Sequence, residues 1–121
     1  MTQEHARRKE LRNAFEQIKT FYGVVKVTNT RNGKFFITSF TNIKNKEGYL
    51  WAQLDDGRHP NAALQADWRT FGADAFAYEV LESHDAADVG NVAFEAKQLE
   101  KHYLEALEPF GEKGYNKPPR S

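Results

Sequence analysis

The chain contains no cysteine, which excludes disulfides and thiolate metal centres. No run of about 18 apolar residues occurs, so nothing in the sequence reads as a transmembrane helix. The stretch from Thr2 to Lys19 is charged throughout and lacks the apolar core of a signal peptide. A cytoplasmic protein without membrane contact is therefore the expectation. Net charge is absent too, with 17 Lys and Arg against 17 Asp and Glu, which argues against a strongly basic nucleic-acid binder. There is no internal repeat, low-complexity tract or linker.

What the chain does contain is apolar material enough for a core. Its 121 residues are 40% hydrophobic and 13% aromatic, which fits one compact domain. The balanced charge is unevenly distributed. Residues 1–48 carry ten Lys and Arg against four Asp and Glu, whereas residues 49–110 carry four against twelve. A basic first third could meet phosphates while the acidic remainder faces solvent, or the charges could simply cover the surface.

Leu11, Ala14, Phe15 and Ile18 recur at spacings of three and four, predicting an amphipathic helix within residues 1–20. Two β-branched and aromatic runs, Tyr22 to Asn29 and Lys34 to Ser39, flank Asn32-Gly33 and predict a β-hairpin with an Asn-Gly turn. A helix is expected after Asn42 as N-cap, with Ile43, Leu50 and Leu54 on one face and Gly57 beyond its end. A second should start at Pro60-Asn61, bury Leu64, Trp68 and Phe71, and stop at Gly72. Phe76, Tyr78 and Val80 alternate as a third strand, followed by a polar loop from Glu82 to Ala87. A long helix from about Asp88 to Glu108 completes an α+β order of α-β-β-α-α-β-α, a small three-stranded antiparallel sheet flanked by helices. Residues 21–116 form the domain proper, and 117–121 an irregular tail.

One charge sits in the wrong place on that last helix. At about 100° per residue, Glu100 falls inside the apolar sector of Val92, Ala93, Ala96, Leu99, Tyr103, Leu104 and Leu107. Burying an unpaired carboxylate costs several kcal/mol, roughly, so Glu100 needs a partner. Either it pairs with a lysine or arginine or reaches water at the stripe's edge, or it projects into a cleft as a ligand for a hard divalent cation. The four histidines supply no ligand set. His5 and His84 lie in polar segments, His59 precedes Pro60 in a loop, where it could contact phosphate or simply be solvated, and His102 faces away from Glu100.

The triplets Gly23-Val24-Val25 and Phe36-Ile37-Thr38 sit where the GIY-YIG nuclease superfamily carries its two signature motifs, and the chain resembles that superfamily. Further points of likeness are Thr41 to Asn45, His59-Pro60-Asn61, Leu64 to Trp68, Phe71-Gly72, Val80-Leu81-Glu82, Glu100 and Gly114-Tyr115-Asn116. The whole chain is most similar to a small bacterial branch labelled LuxR-like, though it has no separate helix-turn-helix domain. In active members two tyrosines and a basic residue act on the attacking water, a helix-borne glutamate holds one divalent metal, and an arginine contacts the phosphate. The resemblance thus implies Glu100 as metal ligand for Mg²⁺ and places Lys46 at the arginine position. Lys46 keeps the charge but not the planar fork that grips two phosphate oxygens. A ring often found four residues later is replaced by Leu50, with Tyr49 adjacent. Both tyrosines are lost, as Val25 and Phe36. Tyr22 cannot replace the first, because an offset of three points to the opposite face unless a bulge intervenes.

Three functions follow as expectations. The leading one is a catalytically degenerate nuclease-fold domain that binds nucleic acid or a phosphate-containing ligand through Lys26, Lys34, Lys44, Lys46 and Asn116. The second is a Mg²⁺-dependent phosphodiester endonuclease using Glu100, Lys46 and Tyr49. The third is a protein-interaction module working through the N-terminal helix.

Overall fold

The computed structural model describes residues 19–119, so the helix expected within residues 1–20 lies almost wholly outside the described residues. Three strands, β1 (Phe21–Asn29), β2 (Phe35–Phe40) and β3 (Phe76–Asp85), form one antiparallel sheet in the order β2-β1-β3. Three helices accompany them: α1 (Lys46–Asp55), α2 (Ala62–Phe71) and α3 (Val92–Leu107). None of these is long and apolar enough to cross a membrane.

Helices pack on both faces of β1, so Tyr22 to Val25 are buried consecutively rather than alternately. On one face Val25 and Val27 pack with Leu50 and Leu54 of α1 and Leu64 and Trp68 of α2. On the other, Val24 and Ile37 are fully buried where α3 crosses β1 and β2. The apolar sector expected on α3 is only half-sunk. Ala96 alone is fully buried, and Ala93 is exposed.

The hairpin forms as expected, but its turn is longer than a two-residue Asn-Gly loop. Asn29 N donates to Lys34 O at 2.8 Å, leaving residues 30–33 as the loop. Gly33 alone there has a left-handed φ, 80°, whereas a two-residue type I′ turn needs two such residues. Asn29 instead organises the loop, its Oδ1 accepting from Arg31 N and its Nδ2 donating to Tyr115 Oη.

Three element boundaries differ from expectation. Helix α1 begins at Lys46, after Asn45 with φ of 61°. Asn42 is not its cap but closes a local turn by accepting from Lys44 N, so Ile43 packs on the core from the loop. Strand β3 continues through Glu82 to Asp85, where a polar loop was expected. It is a sheet edge with one face toward water, so polar residues suit it. Helix α3 starts four residues later than expected, where Asn91 Oδ1 accepts from Phe94 N. Helix α2 is as predicted, with Asn61 Oδ1 accepting from Leu64 N and Gly72 ending it at φ 85°, except that Phe71 is exposed.

A bulge in β3 sets the sheet's geometry. Val24 pairs with Glu82 but Val25 with Val80, so Leu81 is the extra residue. Here β3 comes so close that a Cβ on Gly23 would lie 2.4 Å from Glu82 O, which explains a glycine in a central strand. Pairing of β1 with β2 is unbroken, so Tyr22 does lie on the face opposite Val25, tilted against the His84 ring at 5.6 Å.

Candidate functional site

Strand β2 lies at the sheet edge, and an edge strand presents N–H and C=O groups that need partners. At Phe35, Ile37 and Ser39 these partners come from different parts of the chain. Phe35 O accepts from Tyr115 N at 2.9 Å, and Phe35 N donates to Lys113 O at 3.3 Å. Ile37 is held by one side chain: Asn116 Oδ1 accepts from its N–H at 2.9 Å and Nδ2 donates to its carbonyl at 2.8 Å. Two residues on, Ser39 N and Oγ both donate to Glu100 Oε1, each at 2.9 Å.

Glu100 is therefore not a carboxylate stranded in a core. Its side chain is 18% exposed, one oxygen is committed to Ser39, and Oε2 faces Lys97 Nζ at 3.6 Å. A carboxylate has about four lone-pair positions, so Oε2 keeps acceptor capacity. The helix wheel marked Glu100 as needing a partner, and it has the lysine partner that one of the two expectations gives it, Lys97 one turn away; its bonds to Ser39 of the edge strand are ones no periodicity on α3 encodes.

The side chains of Phe36, Thr38 and Phe40 project from β2 on the face of Val25. Val25 has no exposed surface. The Phe36 ring meets the edge of His59 at 5.4 Å. Phe40 meets Tyr49 of α1 edge-on at 6.4 Å, and Lys46 Nζ lies 5.5 Å and 5.4 Å from those two ring centres. Such cation–ring contacts hold the ammonium over the aromatic faces. Tyr49 remains half exposed, whereas Leu50 is a core residue.

His59, expected as a loop residue that either contacts phosphate or is simply solvated, has a defined and buried environment. It is 8% exposed, its N–H donates to Gln65 Oε1, and its Nδ1 accepts from Asn61 N at 3.0 Å. Burial pushes its pKa below the usual imidazole value. With Nδ1 occupied as acceptor, the neutral ring carries its proton on Nε2 and offers a donor there. The one sequence signal was His-Pro-Asn immediately before a helix, where the cap residue's own N–H folds back on the ring.

The lysines do not converge on one spot. Lys46 is beside Phe40 and Tyr49. Lys34 lies at the hairpin end, 6.0 Å from the Tyr115 ring. Lys26 projects from the opposite sheet face, 4.7 Å from the Phe35 ring, and Lys44 is exposed in the loop before α1. Asn116 and Glu100 are neighbours along the β2 edge. The C-terminal segment that delivers Asn116 is fixed by Asn61 Nδ2 donating to Tyr115 O at 2.7 Å. Gly114 permits this contact, since a Cβ there would lie 2.5 Å from Phe35 O.

No protein-family model and no curated protein matches the chain. Two solved structures are similar to it. The catalytic domain of the homing endonuclease I-TevI matches with a TM-score of 0.65 and 20% identity, over 81% of this chain and 99% of that one. A glutamate-to-alanine mutant of the catalytic domain of intron endonuclease I-TevI matches with a TM-score of 0.52 and 22% identity, over 82% and 93%. The fold is thus the one the GIY-YIG resemblance implies: a small three-stranded antiparallel sheet with three helices.

Proposed function

We propose that the chain is a nuclease-fold domain that binds nucleic acid, or a related phosphate-bearing ligand, without cutting it. Val25 carries the reading. It stands where the resemblance places a catalytic tyrosine, yet it has no exposed surface and packs among core residues. At the second tyrosine position Phe36 keeps a ring without a hydroxyl. No phenol is available at either place to move a proton, and such general acid–base help is typically worth about 10²–10⁴-fold. Binding groups remain: the ammonium of Lys46 beside two rings, the Nε2 donor of His59, and the basic side chains of Lys34 and Lys44 at the two ends of β2. Lys26, on the other face, is outside this surface.

A second reading, metal-dependent phosphodiester hydrolysis, draws on Glu100 Oε2 and His59. The residues fit a magnesium ion only sparingly. Among the described residues no group of three or more His, Cys, Asp or Glu could hold a metal, so Glu100 would be the one protein carboxylate. Mg²⁺ does bind through one or two carboxylates plus substrate phosphates, keeping several waters. Bound there, the ion would supply Lewis-acid polarisation of a phosphoryl oxygen. His59 would donate from Nε2 to a phosphate oxygen, and Lys46 would neutralise charge.

Labelled single- and double-stranded DNA and RNA, titrated across a salt series with and without Mg²⁺ or Mn²⁺, test both readings. Binding should weaken with salt, and Lys46→Ala should lower the log–log salt slope by about 1. Affinity indifferent to salt would refute phosphate contact. Cleavage that needs the metal and disappears in a folded Glu100→Ala protein would replace the first reading with the second.

A further inference from the structure

Beside Lys46, α1 carries a surface hollow of about 280 Å³ lined by Tyr49, Ala52, Gln53, Asp56 and Arg58. Tyr49, Ala52, Gln53 and Asp56 recur at spacings of three and four and so share one face of α1 and its C-cap, while Arg58 adds to it from the loop leading to His59. Tyr49 supplies a half-exposed ring at the hollow's edge, steadied by its edge contact with Phe40. Gln53 is half-buried, and its amide has no side-chain partner among the described residues. Arg58 and Asp56 meet at 3.3 Å, so the wall presents a donor and an acceptor side by side with little net charge.

We infer that this hollow is a base-binding site, taking one unstacked nucleobase of a single-stranded nucleic acid whose adjoining phosphate is met by Lys46. The inference rests on the nucleic-acid reading above and narrows it from nucleic acid to unpaired strand. An aromatic face stacks on any base, while an amide and a paired Arg–Asp offer donors and acceptors to a base edge. The lysine beside Tyr49 supplies the charge complement for the backbone. Asp56 would repel a phosphate but not a neutral base, and its pairing with Arg58 removes most of that repulsion. Duplex DNA keeps its bases stacked and paired, so it cannot fill the hollow without extruding one.

The test compares wild type, Tyr49→Phe, Tyr49→Ala and Lys46→Ala for binding three fluorescent probes: a short single strand, the same strand built of abasic sites, and the matching duplex. Tyr49 is exposed enough for truncation to leave the fold intact, which thermal melting verifies. Stacking on one ring predicts a loss of roughly ten- to a hundredfold for Tyr49→Ala on the base-bearing single strand. Tyr49→Phe should bind all three probes like wild type, whereas Tyr49→Ala, which also removes one of the two rings beside Lys46, should weaken the abasic strand and the duplex far less than the base-bearing strand. An equal loss on base-bearing and abasic strands, or no loss at all, overturns the inference. If Lys46→Ala weakens every probe while Tyr49→Ala weakens none, the base site falls and the phosphate-binding reading stands. Failure of the wild-type protein to bind any probe ends both.

Discussion

Replacing Glu100 by alanine and by glutamine separates its two possible duties. In the folded protein Oε1 accepts from both Ser39 N and Ser39 Oγ at 2.9 Å, and Oε2 is 3.6 Å from Lys97. A hydrogen bond to a charged group contributes about 1.5–3 kcal/mol when buried. Here the site is part-exposed, Ser39 Oγ can turn to water, and the Lys97 pair lies at the surface, where such pairs contribute about 0–1 kcal/mol. Glu100→Ala should therefore cost about 2 kcal/mol, which for a domain of this size lowers the melting midpoint by about 8 °C. Glu100→Gln keeps an acceptor oxygen for Ser39 and loses only the charge assistance, roughly half the bond strength, so its cost is about 1 kcal/mol or less. Both substitutions remove the cation ligand. Urea unfolding measures the first quantity. Broadening of the Ser39 amide resonance by Mn²⁺, with nucleic acid present, measures the second. Equal destabilisation by the two substitutions would refute the account of Oε1 as an acceptor for the β2 edge. Undiminished Mn²⁺ broadening in the glutamine variant would remove Glu100 as a ligand.

Other consequences follow from particular contacts. Burial and the bond to Asp67 push the Tyr115 phenol up to about 12. Its folded value exceeds the unfolded one, so its stabilisation is intact below about pH 10 and falls as pH rises from 10 to 12. Tyr115→Phe, followed by chemical unfolding across that window, should flatten the fall by up to about 2–3 kcal/mol. His59 behaves in the opposite sense. Burial depresses its folded pKa, so stability is full above the unfolded value near 6.5 and declines as pH drops below it. His59→Asn keeps an acceptor near Asn61 N without a titrating ring, and its stability between pH 7 and 5 should decline less than wild type. Gly23→Ala would drive a methyl to 2.4 Å from Glu82 O, and overpacking of this kind costs about 1–3 kcal/mol or more. A Gly23→Ala protein as stable as wild type in urea would show that the bulge can move aside.

The elements legible in the sequence are those whose signals are local. Alternating β-branched residues around Asn32-Gly33 identify the hairpin, and Asn61 and Gly72 bracket α2 because capping chemistry sits within a few residues of each helix end. What was hidden depends on partners distant in sequence. Glu82 to Asp85 look like a loop because nothing nearby reveals that Phe21 to Val24 lie alongside them. Asn42 is a sound cap by composition, but the helix starts after Asn45, whose left-handed backbone no propensity foretells. For the site, the anomaly at Glu100 was visible on the wheel, while Asn116 could be singled out only by resemblance. His59 was legible as a loop residue that could contact phosphate but not as a buried one, because its burial needs Phe36 of β2 as well as Asn61 and Gln65 at the start of α2.

Sheet edges are where folded chains stick to one another, and β2 shows how this protein prevents that. Its outward-facing N–H groups at Phe35, Ile37 and Ser39 and the carbonyls of Phe35 and Ile37 are met by a backbone segment, an amide and a carboxylate, so a foreign strand finds little vacant ladder there. The carboxylate and the amide are also two of the residues that the family resemblance marks as candidates for the site. Losing Glu100 or Asn116 would therefore open a strand to self-association, apart from anything either residue does for a ligand. Selection against aggregation can keep both residues in place whether or not either of them serves any chemistry.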